Sequence, residues 1–424
     1  ILSPKLVEVG RHPNIKVLTY TEVDSVHGEA GDFTIQLTKK PRYIIEDKCT
    51  GCGVCVEYCP VVYPDQYNQE ISDNKAVHIY FAQAIPLITY IDESCLYLKE
   101  KKCRICENAC KNDAIDLHQI PEKIELNVAA VILSPGYDVF DPKIRDEYGY
   151  GRLQNVVTGM DYERLMCATG PYEGEILRAS DRRHPHNVAW IQCVGSRNEE
   201  RPNCSRICCQ SAVKNALAIK KNSPDTQVFI LYRDMRMYGL MEDYYTEARK
   251  LGVIFIRYQK DNPPVAKSTG EGILVTVRDH VLLKDIEIQA DILTLSAGVM
   301  PSGSEEVGRR LKLNTNSEGY FLEAHVKLRP VDMGSDGVFL CGTAHGPKLI
   351  SETIVQASAA AARAVTFLSK DEIKLSAIKA QVDPDHCVKC LTCVRSCPFE
   401  VPRFNVAAGE IQIDPALCQG CGVC

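Results

Sequence analysis

The chain has 424 residues, 45% of them apolar and 25% charged, with 49 basic residues against 55 acidic ones and a formal charge of −6. This ordinary globular balance allows about two or three domains and excludes a disordered or fibrous chain. The charge gives no general case for nucleic acid or an anionic membrane, and no run of about 18 apolar residues exists to span a bilayer.

Residues 1–44 read as short β-prone runs at 15–19 and 33–37 around a Gly-containing turn, followed by a Cys-rich block from about 46 to 117. Residues 128–136, Val-Ala-Ala-Val-Ile-Leu-Ser-Pro-Gly, form a continuous apolar run that fits one strand of a buried parallel sheet. From 187 the pattern alternates: strand 187–193, helix 206–221, strand 227–232, helix 243–250 and strand 253–258. That alternation indicates a parallel α/β domain. Two further apolar runs end in Gly, 291–298 and 337–342, and an Ala-rich helix follows at 350–365. A second Cys-rich block, 385–424, resembles the first, so one small module is inserted and its repeat is terminal.

Cysteine is the anomaly, with 21 residues. Disulfide scaffolds are small, secreted and loop-rich, whereas these cysteines are clustered in a long chain with helical and strand patterns. Metal in a reduced, cytoplasmic compartment is the expectation. Cys49-x2-Cys52-x2-Cys55-x3-Cys59-Pro60 is the bacterial ferredoxin run, in which three thiolates hold one [4Fe–4S] cluster and the fourth serves its neighbour. Zinc, the alternative, normally uses isolated C-x2-C pairs. Cys95-x7-Cys103-x2-Cys106-x3-Cys110 forms the second half, with a longer first spacing and Lys111 in place of Pro. The natural pairing is Cys49, Cys52, Cys55 and Cys110 on one cluster, and Cys59, Cys95, Cys103 and Cys106 on the other.

The terminal block carries Cys387, Cys390, Cys393 and Cys397-Pro398, then Cys418, Cys421 and Cys424. Seven cysteines stand where eight are expected, and the eighth should lie about four residues past the last. Cys397 would join Cys418, Cys421 and Cys424, which leaves Cys387, Cys390 and Cys393 one ligand short. A further group, Cys193 and Cys204-x3-Cys208-Cys209, brackets a strand-to-helix turn. A doubly wound sheet would carry a pyrophosphate there over a G-x-G-x-x-G loop, and Cys193-Val-Gly-Ser-Arg-Asn has no such fingerprint. Buried, inert thiols are the other reading of these four. A helix N-terminus is expected to lower their pKa and favour an anionic cluster. With the expected extra ligand the clusters make five quartets, and Cys167 and Cys341 remain as structural residues.

Ser134-Pro-Gly136 and Ala297-Gly298 sit where flavoprotein disulfide reductases carry glycine turns after a strand. Cys341-Gly-Thr-Ala-His-Gly-Pro-Lys348 precedes a helix whose N-terminus would favour negative charge on a reduced isoalloxazine. Ser134, Gly136, Gly342, Thr343, Ala344 and Lys348 are therefore candidates for holding a flavin. Lys348 is the candidate closest to the reactive N5 or the pyrimidine edge; the alternative is a solvated lysine near a helix start.

With these residues in view, the chain resembles the A subunit of heterodisulfide reductase, the flavin-containing iron–sulfur component of that enzyme in methanogenic archaea and related anaerobes. The resemblance rests on Lys40-Pro-Arg-Tyr43 before the first cluster run, Gln192-Cys-Val-Gly-Ser-Arg197 with its cysteine group, Leu231-Tyr-Arg-Asp-Met-Arg236, Gly342-Thr-Ala-His-Gly-Pro-Lys348 and the terminal block. It implies an α/β fold: a thioredoxin-reductase-like FAD domain (1–44, 119–186 and 301–380) with an inserted 2×[4Fe–4S] ferredoxin-like module (45–118). A second nucleotide-type α/β domain (187–300) carries the Cys193 quartet, and a ferredoxin-like module (381–424) ends the chain. The family's FAD-binding G-x-G-x-x-G is expected upstream of residue 1. Ile1 in place of Met, and Cys424 in mid-motif, fit an internal piece of a longer polypeptide.

The resemblance also implies flavin-based electron bifurcation. A hydrogenase or formate dehydrogenase partner would deliver electron pairs to FAD. One electron would pass towards the B and C subunits and the CoM-S-S-CoB heterodisulfide, the other towards ferredoxin, in a homodimer within a larger complex. Related subunits of sulfate reducers share these motifs. A pyridine-nucleotide-dependent disulfide reductase would need a redox cysteine pair outside the cluster motifs, and a pure polyferredoxin would not need the α/β core.

Overall fold

The computed structural model describes residues 2–270, 272–311, 313–372, 378–397, 401–415, 418 and 420–424, without the side chains of Leu2, Ser304 and Glu305. The chain opens on helix α1 (Leu2–Arg11), which the β-prone reading of residues 1–44 did not anticipate. No strand forms at 15–19, where Ile15 and Val17 stay exposed; β1 (Thr21–Glu29) begins beyond it. A β-prone run needs a sheet partner to become a strand. β1 finds one in β2 (Asp32–Lys39), which contains the expected run at 33–37 and pairs on its other edge with β3 (Glu122–Val128).

Lys39 and Glu122 are register partners across β2 and β3. The Cys-rich block thus leaves and re-enters the fold at one point of a hairpin, which lets it fold around its own core. Ile44, Ala76, Val77, Ile91, Ile115 and Leu117 pack there with Cys55, Cys59, Cys95 and Cys106. Cysteine sulfur supplies part of that apolar interior.

The run at 128–136 is not one strand. Val128 ends β3, and β4 (Val131–Leu133) joins a different sheet, pairing parallel with Val338–Leu340. The chain changes sheets at Ala129 and Ala130, where the Ala129 carbonyl accepts from Gly31 N–H.

The central domain is a five-stranded parallel sheet. Its strands are β5 (Val156–Thr158), β6 (Asn187–Val194), β7 (Gln227–Tyr232), β8 (Ile254–Arg257) and β9 (Ile292–Ala297), in the spatial order β5-β9-β6-β7-β8. Helices α2 (Gly159–Met166), α3 (Cys208–Asn222) and α4 (Met241–Lys250) belong to the same domain. The expected strands and helices of 187–300 all form, with ends within two residues of expectation. α3 starts at Cys208 rather than at 206 because Arg206 has φ 62°, in the left-handed region that no right-handed helix admits. One sheet face buries Trp190, Tyr162, Val213 and Ile292 under α2 and α3. The other packs Ile191, Leu293 and Leu295 on Ile273, Val275 and Val277. Those last residues lie in an antiparallel three-stranded sheet (Val265–Thr269, Gly272–Asp279, Lys284–Ala290) that the strand–helix scheme omits.

β10 (Val338–Leu340) then pairs with β4, and α5 (Ile350–Leu368) runs three residues beyond the expected helix. In the terminal block, Pro402–Asn405 and Glu410–Ile413 form a hairpin beside the short helix Thr392–Ser396; Pro398 lies outside the described residues. Among the described residues, no helix is long and apolar enough to cross a membrane.

Candidate functional sites

The four cysteines paired by spacing on the first cluster meet. Cys49, Cys52, Cys55 and Cys110 line a cavity of about 260 Å³, walled by Thr89, Ala114 and Ile115. Gly51 (φ 66°) turns the chain between the first two; a Cβ there would stand 2.6 Å from the Leu87 carbonyl oxygen, so the loop admits only glycine. The buried Thr89 hydroxyl lies 3.6 Å from the Cys49 sulfur and 3.9 Å from that of Cys55. Ala114 N–H donates to the Cys110 sulfur at 3.3 Å. Burial pushes the Cys55 thiol up, and the charges of Cys49 and Cys110 push it further. Thr89 belongs to no cysteine motif, so spacing could not reveal it.

Cys59, Cys95 and Cys106 share the buried core of the same module. The Cys106 thiol is pushed up to about 12 by burial, then by Cys95, Cys55 and Cys59. Cys103 is half-buried at φ 74° and is assigned to this quartet by its spacing. In the terminal block, Cys397, Cys418, Cys421 and Cys424 line a cavity of about 190 Å³. Ala380 and Gly420 N–H groups donate to the Cys418 sulfur at 3.3 and 3.4 Å, and they hold that thiol below its usual value. Cys387 and Cys393 are half-buried, and Cys390 is exposed with its sulfur 3.3 Å from the Thr392 hydroxyl.

Cys193, Cys204, Cys208 and Cys209 also meet, in a cleft shared with Arg197, Asp234 and Arg236. β6 ends on Cys193 and Val194, and the last two cysteines open α3. The cleft is tight, with a free volume of about 10 Å³. The expected lowering of pKa at the helix N-terminus does not occur. Burial pushes the Cys209 thiol up to about 11 and the Cys208 thiol further, and neighbouring sulfurs add to both. Mutually repelling thiolates in a dry cleft are the state that a cationic iron core relieves. Arg197 donates to the Cys193 sulfur at 3.8 Å and pairs with Asp234, while Arg206 N–H donates to the Cys204 sulfur at 3.3 Å.

Among the described residues, no three His, Cys, Asp or Glu side chains converge closely enough for a single metal ion. Of the leftover cysteines, Cys341 is buried between β10 and α5, and Cys167 is half-buried beside the Thr169 hydroxyl.

Two of the three glycine turns come together. β4 and β10 are parallel neighbours, and Cys341 N–H donates to the Leu133 carbonyl, so the turns after both strands emerge side by side. Burial raises the Cys341 thiol against the opposing effects of Lys348 and of Ser134 across this edge. Gly136 (φ 90°) and Gly346 (φ 148°) have no atom within 4 Å of where a Cβ would sit, so the space over both turns is open. Gly342, Thr343 and Ala344 form the first part of the second turn. Lys348 is not a solvated lysine: its amine donates to the Gly342 carbonyl at 2.8 Å and the Gly346 carbonyl at 3.3 Å. Burial, with Arg206 acting the same way, holds that amine below the usual lysine value against the pull of Glu352. The third turn lies elsewhere. Gly298 N–H donates to the Val194 carbonyl, Cys208 S–H to the Ala297 carbonyl at 3.8 Å, and a Cβ on Gly298 would stand 3.2 Å from that of Ser196. It shapes the Cys193 quartet.

Arg206 connects the two regions. Its backbone N–H reaches the Cys204 sulfur; its guanidinium donates to the Pro347 carbonyl (3.2 Å), the Tyr238 hydroxyl (2.8 Å) and Glu352 (2.6 Å). Glu352 in turn accepts from Leu349 N–H at 2.7 Å, so the N-terminus of α5 already carries a carboxylate that Arg206 balances. Sequence reasoning missed this pair, because 146 residues separate its members.

A 4Fe-4S dicluster domain model matches residues 379–424, and a 4Fe-4S binding domain model matches residues 42–62. The chain is 43% identical, over 98% of its length, to the A subunit of the H(2):CoB-CoM heterodisulfide,ferredoxin reductase of Methanothermobacter thermautotrophicus. It is 40% identical, over 97% of its length, to the A iron-sulfur subunit of the CoB--CoM heterodisulfide reductase of Methanocaldococcus jannaschii. The chain spans 63% of the length of each. Among solved structures, T. acidophilum thioredoxin reductase is similar with a TM-score of 0.38 and 15% identity, covering 60% of this chain and 70% of that one.

Proposed function

We propose that this chain, which belongs to the family of heterodisulfide reductase A subunits, is the electron-carrying part of such an oxidoreductase. In this reading FAD lies over the turns of Gly136 and of Gly342, Thr343 and Ala344, beside Ser134 and Lys348. Five [4Fe–4S] clusters occupy the quartets, one of which takes a ligand outside this chain. Bound there, FAD supplies the exchange between two-electron and one-electron chemistry that bifurcation requires. The donor is a hydrogenase or formate dehydrogenase; the acceptors are ferredoxin and, through the B and C subunits, a CoM-S-S-CoB heterodisulfide. The protein works as a homodimer in a larger cytoplasmic complex.

The chain's own residues have definite parts. Lys348 presents a partly desolvated cation at the turn, where it favours negative charge. Gly136 and Gly346 keep backbone and ring able to approach. Arg197 would place positive charge and a hydrogen bond on the Cys193 quartet, and the Arg206 backbone N–H a further hydrogen bond, which would favour the more negative, reduced state of a cluster there. The observation that carries the reading is Arg206. One residue bonds a sulfur of the quartet and the first turn of α5, so the two redox sites are held as neighbours. The quartet stands where a nicotinamide nucleotide would bind, and the glycine fingerprint is absent; electrons are exchanged through iron–sulfur centres rather than as hydride.

The test is the full-length protein purified without oxygen. It should show a flavin spectrum and about 20 irons in this region, and changing Cys208 and Cys209 together to Ser should remove about four irons. Stoichiometric zinc, absence of flavin, or flavin reduction by NADH or NADPH at catalytic rates with iron unchanged in the double variant would overturn it.

A further inference from the structure

The Gly342 turn contains a hydrogen-bonded chain that none of the redox roles above uses. Gly342 N–H donates to Gln356 Oε1 at 2.9 Å. Gln356 Nε2 lies 2.8 Å from His345 Nδ1, and His345 Nε2 lies 2.7 Å from Glu323 Oε2. The direction of every bond follows from its first member. A backbone N–H only donates, so the oxygen of the Gln356 amide faces Gly342 and its NH2 faces His345. Nδ1 must then accept, and the ring proton sits on Nε2, donated to Glu323. Gln356 lies on the second turn of α5, Glu323 follows the buried Phe321, and the imidazole keeps 26% of its surface in solvent, within reach of a proton.

A proton added to Nδ1 would face the Gln356 NH2, donor against donor. The conflict is relieved if the amide turns over, so that Oε1 accepts from Nδ1–H and NH2 faces Gly342. Gly342 N–H, which points at this amide, then meets a donor in place of its acceptor and is driven to find another. We propose that Glu323, His345 and Gln356 form a proton-operated latch on the Gly342 turn: neutral His345 keeps the Gly342 N–H engaged, and protonated His345 releases it to whatever lies over the turn. Glu323 is the fixed end. Burial pushes its carboxyl up, but a backbone N–H and the His345 ring outweigh this and leave it below the usual carboxylate range. The other charged or titratable groups around the latch are Lys348, bonded to the Gly342 carbonyl, the Glu352–Arg206 pair beyond it, and the Cys341 thiol before the turn.

The latch rests on the flavin reading only for what it acts upon: a released N–H beside a reduced, anionic ring would bind it better, so uptake of one solvent proton at His345 would accompany reduction. The structural part is tested without flavin. In the full-length protein labelled with 15N, His345 should be the Nε2–H tautomer at high pH, and on acidification the Gly342 amide signal should move with the same midpoint as His345. In Gln356→Glu, which has no donor for Nδ1, the Gly342 signal should lose that shift while His345 still titrates. An Nδ1–H tautomer, or a Gly342 signal indifferent to the His345 titration in the unaltered protein, overturns the latch. The flavin part is read separately: the plot of flavin midpoint potential against pH should bend at the His345 midpoint and lose that bend in His345→Asn. A protein without flavin absorbance would defeat the functional reading and leave the latch standing; a flavin protein with no bend would confine the latch to the turn and overturn its link to reduction.

Discussion

Gly195→Ala measures how tightly the Cys193 turn is built. Gly195 has φ 72°, and a Cβ there would overlap the Phe140 ring. Phe140 has little room to yield: it is 4% exposed within the sheet-face core, its N–H donates to the Gly298 carbonyl, and the Arg201 guanidinium lies 5.1 Å over its ring. A methyl group in the left-handed region costs about 1 kcal/mol, and forcing an extra carbon into a packed core costs about 1–3 kcal/mol. The expected loss is therefore about 2–4 kcal/mol, or a urea midpoint lowered by roughly 1–2 M. Gly239→Ala is the control, because Gly239 has φ 61° but open space around its Cβ position; it should lose only about 1 kcal/mol. Trp190 is the chain's sole tryptophan, 1% exposed in β6, so its fluorescence follows this domain rather than the cluster modules. Because the displaced turn carries Cys193, Gly195→Ala should also lose about four irons. Equal midpoint shifts in the two variants would refute the clash, and full iron in a destabilised Gly195→Ala protein would refute the turn as a cluster ligand.

Thr89→Val removes a hydroxyl from beside two sulfurs of the first quartet; with about 1 kcal/mol at stake, the cluster potential should fall by up to about 40 mV. An unchanged redox titration would show that the hydroxyl does not favour the reduced state. Lys348→Ala should lower the flavin potential by about 40 mV per kcal/mol of lost anion stabilisation in a one-electron step, or about 20 mV in the two-electron midpoint, while leaving iron unchanged, and a potential that stays put would remove Lys348 from the flavin site. His78 is 3% exposed, and burial holds its pKa below the ordinary value. The unfolded chain therefore takes up the proton first, and stability present above about pH 6.5 is lost as pH falls towards the folded-state value, at no more than about 1.4 kcal/mol per pH unit. Urea midpoints of the inserted module should show this loss, and His78→Phe should abolish it; an identical pH profile in that variant would assign the loss elsewhere.

Short-range features were legible in the sequence. The cysteine spacings placed Cys49, Cys52, Cys55 and Cys110 in one quartet and Cys397, Cys418, Cys421 and Cys424 in another, and both line single cavities. Within Cys49–Cys55 and Cys418–Cys424 the spacing is set by local backbone geometry, while Cys110 and Cys397 come from the other half of each module and were reached through the repeat of the motif. The alternating strands and helices of 187–300 were legible for a related reason: a strand buried on both faces must be apolar throughout, and that pattern survives in any arrangement of its neighbours.

Tertiary structure decided what depends on partners far apart in the chain. The run at 128–136 splits between two sheets because Leu133 finds its neighbour in Leu340. Gly298 leaves the presumed flavin turns for the Cys193 quartet because β9 pairs with β6. The Cys208 and Cys209 thiols at the start of α3 are pushed up rather than down because burial, with neighbouring sulfurs adding to it, outweighs the helix N-terminus. Arg206 meets Glu352 only once α5 is laid beside the central domain, and His345 meets Glu323 and Gln356 only once the Gly342 turn folds between the segment after Phe321 and α5. Such meetings leave no periodicity or spacing in a sequence, because a hydrogen bond is specified by distance in space and not by separation along the chain.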